Sequence, residues 1–347
     1  MKGKEMNGFR QPAEWDKHDA VWLAWPSAAN LWETNLKFAQ AEFTSFCEAI
    51  ADRDPKTGSN RGEQLNILVP TQAAALDAEK ALRHLSPKFF RIAFGDIWLR
   101  DIAPIFLTNG SELAAACFNF NGWGKKYLLP HDKDVAASIA KASGLKTFSF
   151  PFILEGGSIE VDGEGTCLTS RQCLLNPNRN PSMDENKIES ALKEAVGVTK
   201  VLWVNDGLLN DHTDGHIDTI ARYASPGKIL CMQATDAHDP NRSLLEAIES
   251  DLRAMIDAKG RKIEVGLIPS PGRVLSAEGD IMPASYLNFY ISNTTVIVPT
   301  YGSPQDELAV SKLATHFPTR RTIGCPAKAI LSGGGAFHCI SQQQPLA

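Results

Sequence analysis

The segment Gly157-Ser158-Ile159-Glu160-Val161-Asp162-Gly163-Glu164-Gly165-Thr166-Cys167-Leu168-Thr169 separates the two α/β classes open to this chain. Two short strand candidates, 157–161 and 166–169, flank a tight Asp-Gly-Glu-Gly turn, which is the pattern of a hairpin. A doubly wound parallel sheet instead joins successive strands through helices and carries nearly as many helices as strands. Further strand candidates lie at 21–25, 65–69, 90–94, 103–107, 113–119, 147–150, 200–204, 216–221, 228–232, 262–268, 286–292 and 294–299. Helices are expected at 71–83, 133–142, 184–196, 241–258 and 304–315, and Leu36, Ala39, Phe43, Phe46, Cys47 and Ile50 recur at helical spacing in a sixth. The helix over 241–258 has Leu244, Leu245, Ile248, Leu252, Met255 and Ile256 on one face, with Asn241 as its expected N-cap and Gly260 as its stop. Strands outnumber helices roughly two to one, so the chain reads as mixed α/β rather than doubly wound. The polar stretch from Asp52 to Glu63 is a loop, and no long linker or composition break divides the chain. One domain over 1–347 is expected.

Composition narrows the function classes. The 347 residues are 43% hydrophobic and 22% charged, values of an ordinary globular protein with a large core. A net charge of −5 argues against a general nucleic-acid binder or a protein of anionic membrane surfaces. Seven cysteines, at 47, 117, 167, 173, 231, 325 and 339, are an odd number without a Cys-x-x-Cys pair, unlike a disulfide framework or a structural zinc site. The start, Met1-Lys2-Gly3-Lys4-Glu5-Met6-Asn7-Gly8, is basic but has no apolar run of the secretory kind. No stretch approaches the roughly 20 apolar residues of a membrane helix. A reduced, cytoplasmic protein is expected, with no membrane or nucleic-acid partner and room for a homo-oligomer.

Four clusters place reactive groups beside glycines and aromatics: Gly95-Asp96-Ile97-Trp98-Leu99-Arg100-Asp101, Leu154-Glu155-Gly156-Gly157-Ser158, Asn210-Asp211-His212-Thr213-Asp214-Gly215-His216-Ile217-Asp218, and Ser332-Gly333-Gly334-Gly335-Ala336-Phe337-His338-Cys339. Each has an ordinary structural explanation: a surface ion pair, a turn acid, a core histidine, a buried thiol. His212 and His216 stand four apart, as in a helical zinc pair, but Gly215 and the β-branched Thr213 and Ile217 disfavour a helix there. Read as a strand, the segment turns His216 and Asp218 to one face. In an extended fourth segment His338 and Cys339 face opposite ways, so a distant imidazole such as His216 suits the thiol better.

Together the clusters supply a thiol, an imidazole and several acids. Carboxylates grip a planar guanidinium through paired N–H···O bonds, fixing its electrophilic carbon in front of a thiolate. Attack, protonation of departing ammonia by the histidine, and hydrolysis of the covalent intermediate would follow.

The clusters also carry a family likeness. The chain resembles the agmatine deiminase and bacterial-type peptidylarginine deiminase family of guanidine-modifying enzymes. The likeness rests on Pro12-Ala13-Glu14-Trp15, Trp98-Leu99-Arg100-Asp101, Phe118 to Gly124, Glu155-Gly156-Gly157, Asp214 to Asp218, Ser285 to Tyr290 and the Gly333-Gly334-Gly335…His338-Cys339 tail, in the family's order. It implies a five-fold pseudosymmetric α/β-propeller of ββαβ units, and cofactor-free, metal-free hydrolysis of a small cationic guanidinium substrate. By motif it makes Cys339 the nucleophile and His216 the general acid/base, with Asp101 and Asp218 on the guanidinium nitrogens. Glu155 would support His216 or the substrate, and Trp98 and Trp123 would wall its stem. The chain departs from the family at Asn30-Leu31-Trp32-Glu33, Asn121-Gly122-Trp123-Gly124-Lys125, Ala336-Phe337 and Ser341, which bears on how the substrate's far end is read. Glu33, Asp96, Asp211 and Asp214 near the motifs outnumber Arg100 and favour agmatine, giving N-carbamoylputrescine and ammonia, over free or peptidyl arginine. The competing classes are a metal-dependent amidohydrolase built on His212 and His216 and a non-catalytic guanidinium binder.

Overall fold

The computed structural model describes Met6 and residues 8–347; Met1 to Glu5 and Asn7, and with them most of the basic start, lie outside the described residues. The architecture is α/β with five small sheets. Strand β1 (His18–Ala24) pairs in parallel with β2 (Gln64–Val69), and β2 in parallel with β3 (Lys88–Arg91). The next three sheets are β4 (Ile105–Thr108), β5 (Leu113–Asn119) and β6 (Lys146–Ile153); β7 (Ile159–Val161), β8 (Thr166–Ser170) and β9 (Lys200–Val204); and β10 (Ala221–Ser225), β11 (Lys228–Gln233) and β12 (Glu264–Pro269). The fifth sheet is β13 (Tyr290–Ile291), β14 (Thr295–Thr300) and β15 (Arg321–Pro326), and the C-terminal β16 (Gln342–Pro345) returns to pair antiparallel with β1.

One rule connects them. In each sheet an opening strand runs antiparallel to a second strand, which runs parallel to a third. An antiparallel step needs only a tight turn, whereas a parallel step needs a crossover. Accordingly each of the six parallel pairs is bridged by one helix of eleven residues or more: Leu36–Ala51, Gln72–Leu82, Asp132–Ser143, Glu185–Val196, Arg242–Ala254 and Asp306–His316. Thr71 caps the second through a side-chain bond from Ala74 N (3.1 Å) and Asp184 the fourth from Lys187 N (2.9 Å). The chain expected to have more strands than helices therefore does, because four of its strand junctions, β4–β5, β7–β8, β10–β11 and β13–β14, are hairpins that need no helix.

Three expected boundaries fail. The segment 216–221 is not a strand: Ile217–Thr219 is a 3-10 turn and β10 starts at Ala221. Of 286–292 only Tyr290–Ile291 pairs. The helix over 241–258 stops at Ala254, with Met255 already extended and Ile256 bridged to Lys262, so Gly260 serves a later turn. Asn241 stands at its N-cap without a capping bond, its side chain accepting from Leu209 N at 2.9 Å instead.

All seven cysteines are free and buried. Among the described residues no helix is long and apolar enough to cross a membrane. β1 is buried almost throughout, and Phe46 of the first helix stacks on Phe337, two residues before Cys339, at 4.5 Å and 3°. The tail is therefore set by the core and by β16. Deleting residues 342–347 removes that pairing with β1 and also Gln343, whose Oε1 accepts from buried Arg100 Nη1 at 2.7 Å. The expected result is a chain without a cooperative thermal transition in circular dichroism; a truncated chain melting like the full one would contradict this.

Candidate active site

The segment just before the opening strand of every sheet carries a polar residue of one cluster. Asp101 lies on the short helix Leu99–Ile102 before β4, Glu155 before the 3-10 turn Gly156–Ser158 and β7, His216 and Asp218 before β10, Asn288 before β13 and Cys339 before β16. These side chains are buried, from 0% exposure for Glu155, His216 and Asp218 to 6% for Asp101 and Cys339.

Gly157 marks their meeting point. A Cβ there would lie 2.6 Å from His216 Nδ1, 2.9 Å from Asp101 Oδ1 and 3.2 Å from Asp218 Oδ2, so only glycine lets the three converge. Its backbone N–H donates to Asp101 Oδ1 at 3.0 Å, and the indole of Trp123 donates to Asp101 Oδ2 at 2.8 Å. His216 Nδ1 is 3.6 Å from Asp101 Oδ1 and Nε2 is 3.9 Å from Glu155 Oε2. Both His216 nitrogens, Glu155 Oε2 and Asp218 Oδ1 are buried without a hydrogen-bond partner among the described residues. Buried polar atoms are normally paired, so the two free carboxylate oxygens, Glu155 Oε2 and Asp218 Oδ1, suit a group that carries N–H donors.

Cys339 sits on a turn over Phe337–Ile340, not on the extended segment expected. Asn288 holds that turn. Its Oδ1 accepts from the backbone N–H of Ala336 (3.1 Å), His338 (3.1 Å) and Cys339 (3.3 Å), while its Nδ2 donates to Cys339 Sγ at 3.1 Å. Sγ lies 3.6 Å from Asp218 Oδ2. Gly335 faces Sγ and Trp98, each within 3.0 Å of the place its Cβ would take. Asp96 accepts the indole N–H of Trp32 and of Trp98, both at 2.9 Å, setting the two rings 6.1 Å apart along that wall.

The charges balance by proximity. Burial drives Cys339's thiol well up from its ordinary value, and the carboxylates of Asp218 and Asp101 push the same way. Burial alone would lower His216, but Asp101, Cys173 and Glu155 outweigh it and hold its imidazole well above the ordinary range. Asp101 is raised by burial and by Asp218 and Glu155, against the pull of His216. Glu155 and Asp218 are held below the ordinary carboxylate range despite burial, Glu155 by His216 and Arg179, Asp218 by His338, His216 and Arg222.

The family model for Porphyromonas-type peptidyl-arginine deiminase matches residues 10–345. The chain belongs to this deiminase family. A Marinomonas sp. (strain MWYL1) relative named "Putative agmatine deiminase" is 36% identical across 98% of this chain and 95% of its own. The solved agmatine deiminase of Enterococcus faecalis is 32% identical with a TM-score of 0.90, covering 99% of this chain and 98% of that one. The C. jejuni agmatine deiminase with substrate bound is 27% identical with a TM-score of 0.87, covering 98% and 97%. An amidinotransferase from Microseira wollei, 14% identical with a TM-score of 0.53 over 96% of this chain and 95% of its own, shares the fold alone.

Within this deiminase-family chain, the seven side chains singled out in the sequence stand in or against the pocket. Asp101, Asp218 and His216 meet at Gly157, Asp218 reaches Cys339, Glu155 flanks His216, and Trp98 and Trp123 wall Gly335 and Asp101. The strand reading of 216–218 is corrected: Asp214 and Gly215 take φ of 65° and 84°, and His216 is fixed by a bond from its N–H to Thr213 Oγ1 (3.0 Å) rather than by a ladder. His212 is not a zinc partner of His216. It is exposed, stacked on Tyr127 and bonded to its hydroxyl at 3.0 Å. Among the described residues, two groups of donor atoms lie close enough to share an ion, Glu155/Cys173/His216 and Glu14/Glu160/His338, and each already faces a guanidinium, Arg179 and Arg222.

Sequence reasoning missed Asn288, Arg179, Cys173 and Glu14. Asn288 stood in the Ser285 to Tyr290 motif, but the strand expected over 286–292 hid that it precedes β13 as Asp101 precedes β4 and Glu155 precedes β7. Arg179 had no signal: it follows a short helix and reaches Glu155 Oε1 (Nε, 2.9 Å), Thr213 O (Nη2, 2.8 Å) and Asp214 only through tertiary folding. Replacing Arg179 by Met should cost about 3–5 kcal/mol in urea unfolding at pH 7, because buried Glu155 loses the guanidinium that hydrogen-bonds it and keeps only His216 at 3.9 Å. Glu155's contribution is present above the ordinary carboxylate range and is lost as pH falls through its lowered value, so the gap between wild type and variant should narrow toward pH 3. A gap independent of pH would refute the pairing.

Proposed function

We propose that this chain hydrolyses the guanidinium of agmatine to N-carbamoylputrescine and ammonia, with the pocket of Asp101, Glu155, His216, Asp218 and Cys339 as its active site. The observation carrying this reading is the thiol of Cys339 set 3.6 Å from a buried carboxylate that also faces His216 across Gly157. Asp101 and Asp218 take the guanidinium N–H groups, and Asp218 Oδ1 and Glu155 Oε2 offer unpaired oxygens. The Cys339 thiolate adds to the central carbon, the C–N bond breaks, and His216 gives its proton to the leaving ammonia. Water, deprotonated by His216, then adds to the thiouronium carbon and the C–S bond breaks, releasing the ureido product and the thiolate. No oxidant or metal enters this balance.

Arg100, the cation nearest the motifs, does not suit a substrate carboxylate: its guanidinium bonds Gln343 Oε1 (2.7 Å) and His338 O (3.3 Å) and lies 3.8 Å from Glu14. Together with the agmatine deiminases among its relatives, this favours a substrate without a carboxylate, hence agmatine over free arginine. The five sheets, alike in strand order and each lending one segment to the pocket, fit a five-fold pseudosymmetric propeller acting as one domain over 1–347.

An ammonia-release assay should show turnover of agmatine well above that of arginine or a blocked arginine peptide; turnover of the peptide alone would move the assignment to peptidyl-arginine, and ammonia from none would end it. Cys339→Ser should retain the fold and lose activity by at least about a thousandfold. Asp101→Asn and Asp218→Asn should each raise KM for the guanidinium by about tenfold or more, since a charge-assisted bond is lost.

The resting thiol yields a fourth expectation. Burial and two carboxylates keep Cys339 protonated near neutrality in the free protein, and the same acids attract cations. At pH 7 a cationic thiosulfonate should therefore modify Cys339 about tenfold faster than a neutral one of similar size, as read by mass spectrometry with wild type against Cys339→Ser. Equal rates would show that the pocket's field does not reach the sulfur.

A further inference from the structure

The proposed reaction leaves unused a second buried histidine and the N-terminal Pro12-Ala13-Glu14-Trp15 motif, and the structure joins them. His338 is 1% exposed, and both its ring nitrogens face carboxylate oxygens: Nδ1 is 2.7 Å from Asp218 Oδ2 and Nε2 is 2.7 Å from Glu14 Oε2. A neutral imidazole has a single N–H and would leave one of these carboxylates facing a lone pair. We propose that His338 is a positioning residue, a doubly protonated imidazolium bridge from Glu14 to Asp218 that holds Asp218 ionised and turned so that its Oδ1 faces the guanidinium. This rests on the reading of Asp218 as a guanidinium ligand.

The surroundings fit a cation at that place only if Glu14 is ionised, and they make it so. Arg222 Nη2 donates to Glu14 Oε2 at 2.7 Å, its Nε lies 2.9 Å from Glu160 Oε1, and its plane packs 4.6 Å from the Phe289 ring. Arg100 Nη2 lies 3.8 Å from Glu14, and Ile291 N donates to Glu14 Oε1 at 2.8 Å. The charged and titratable groups facing His338 are thus Asp218, Glu14 and, beyond them, Arg222, Glu160, Arg100 and the Cys339 thiol. Glu14 is held well below the ordinary carboxylate range by Arg222 and His338 against the effect of burial. With Oδ2 of Asp218 taken by the imidazolium, Oδ1 is the oxygen left buried and unpaired. His338 thereby joins the N-terminal segment, β10 and the tail at the nucleophile, and acts on the substrate only through Asp218.

The test has two arms on the full-length protein. Nitrogen-15 NMR of histidine-labelled wild type, with eight histidines in the chain and His338 assigned by difference from His338→Gln, should show both ring nitrogens protonated at pH 7.5 without substrate. A single protonated nitrogen would overturn the proposal whether or not the protein deiminates agmatine. In the kinetic arm, His338→Gln should raise KM for agmatine about ten- to a hundredfold, with a smaller fall in kcat, and should move the acid limb of kcat/KM to higher pH as Asp218 loses its counter-charge. Glu14→Gln, which leaves His338 in place, should move the acid limb the same way by less. A uniform fall in kcat with an unmoved acid limb would reduce His338 to a packing role and overturn the proposal. Should the variants not fold, His338 is assigned in the wild type by correlating its ring nitrogens with its own backbone amide, and that spectrum decides the proposal. No ammonia from any guanidinium would instead defeat the functional reading, which the spectrum does not address.

Discussion

Three carboxylates and a thiol share one buried space, and this crowding of like charge governs the rest of the structure. Isolated, each ionised carboxylate would cost several kcal/mol to bury. The protein answers with groups brought from elsewhere in the chain: Arg179 on Glu155, His216 between Asp101 and Glu155, and Arg222 on Glu14, which the ring of His338 links to Asp218. None of these pairs is local in sequence. A fold in which segments before five separate sheets are gathered at one place is what such a charge balance requires, and the return of β16 to β1 joins the last segment to the first.

The sheets themselves were largely legible. β5 and β9 match the expected 113–119 and 200–204, because their apolar runs are bounded by clear turn residues. The helices were legible for the same reason, with buried Ile188, Leu192, Ala195 and Val196 repeating at helical spacing. Failure concentrated where side chains replace the backbone ladder. Residues 216–220 alternate like a strand, yet Thr213 and Thr219 bond the N–H and C=O of His216 and bend the chain into a 3-10 turn. At 286–289, Ser285 Oγ takes the N–H of Leu287 and Asn288 holds the turn of Cys339, so only two residues remain to pair. In both places the local rule is broken beside the pocket, as expected where function overrides propensity.

The convergence of the four motif residues was legible, and the arginines that support them were not. Asp101, His216, Asp218 and Cys339 stand in compact motifs beside glycines, and those glycines are there because the side chains crowd them: Gly157 under His216, Gly335 under Cys339 and Trp98. Arg179 and Arg222 have no such marker. Their sequence neighbours do not disclose a partner; Glu14 and Arg222 are 208 residues apart. His338 was visible but was judged against Cys339 alone, on the assumption of an extended chain. The turn at Phe337–Ile340 directs it to Asp218 and Glu14 instead.

The same charge crowding bears on when the proposed nucleophile forms. A standing thiolate at Cys339 would be a further anion beside Asp218 and Asp101, which is why the thiol's proton is held so firmly. A guanidinium entering between those acids reverses the local sum: it neutralises the carboxylates facing the sulfur and brings its own positive carbon within reach. Thiol ionisation is then favoured by the substrate and disfavoured without it. By linkage, a ligand that eases loss of the thiol proton must itself bind more tightly as pH rises through that ionisation. A neutral urea product lacks the charge that stabilised the thiolate. Its departure returns the site to the protonated sulfur, so the acids that bind the substrate also help to discharge the product.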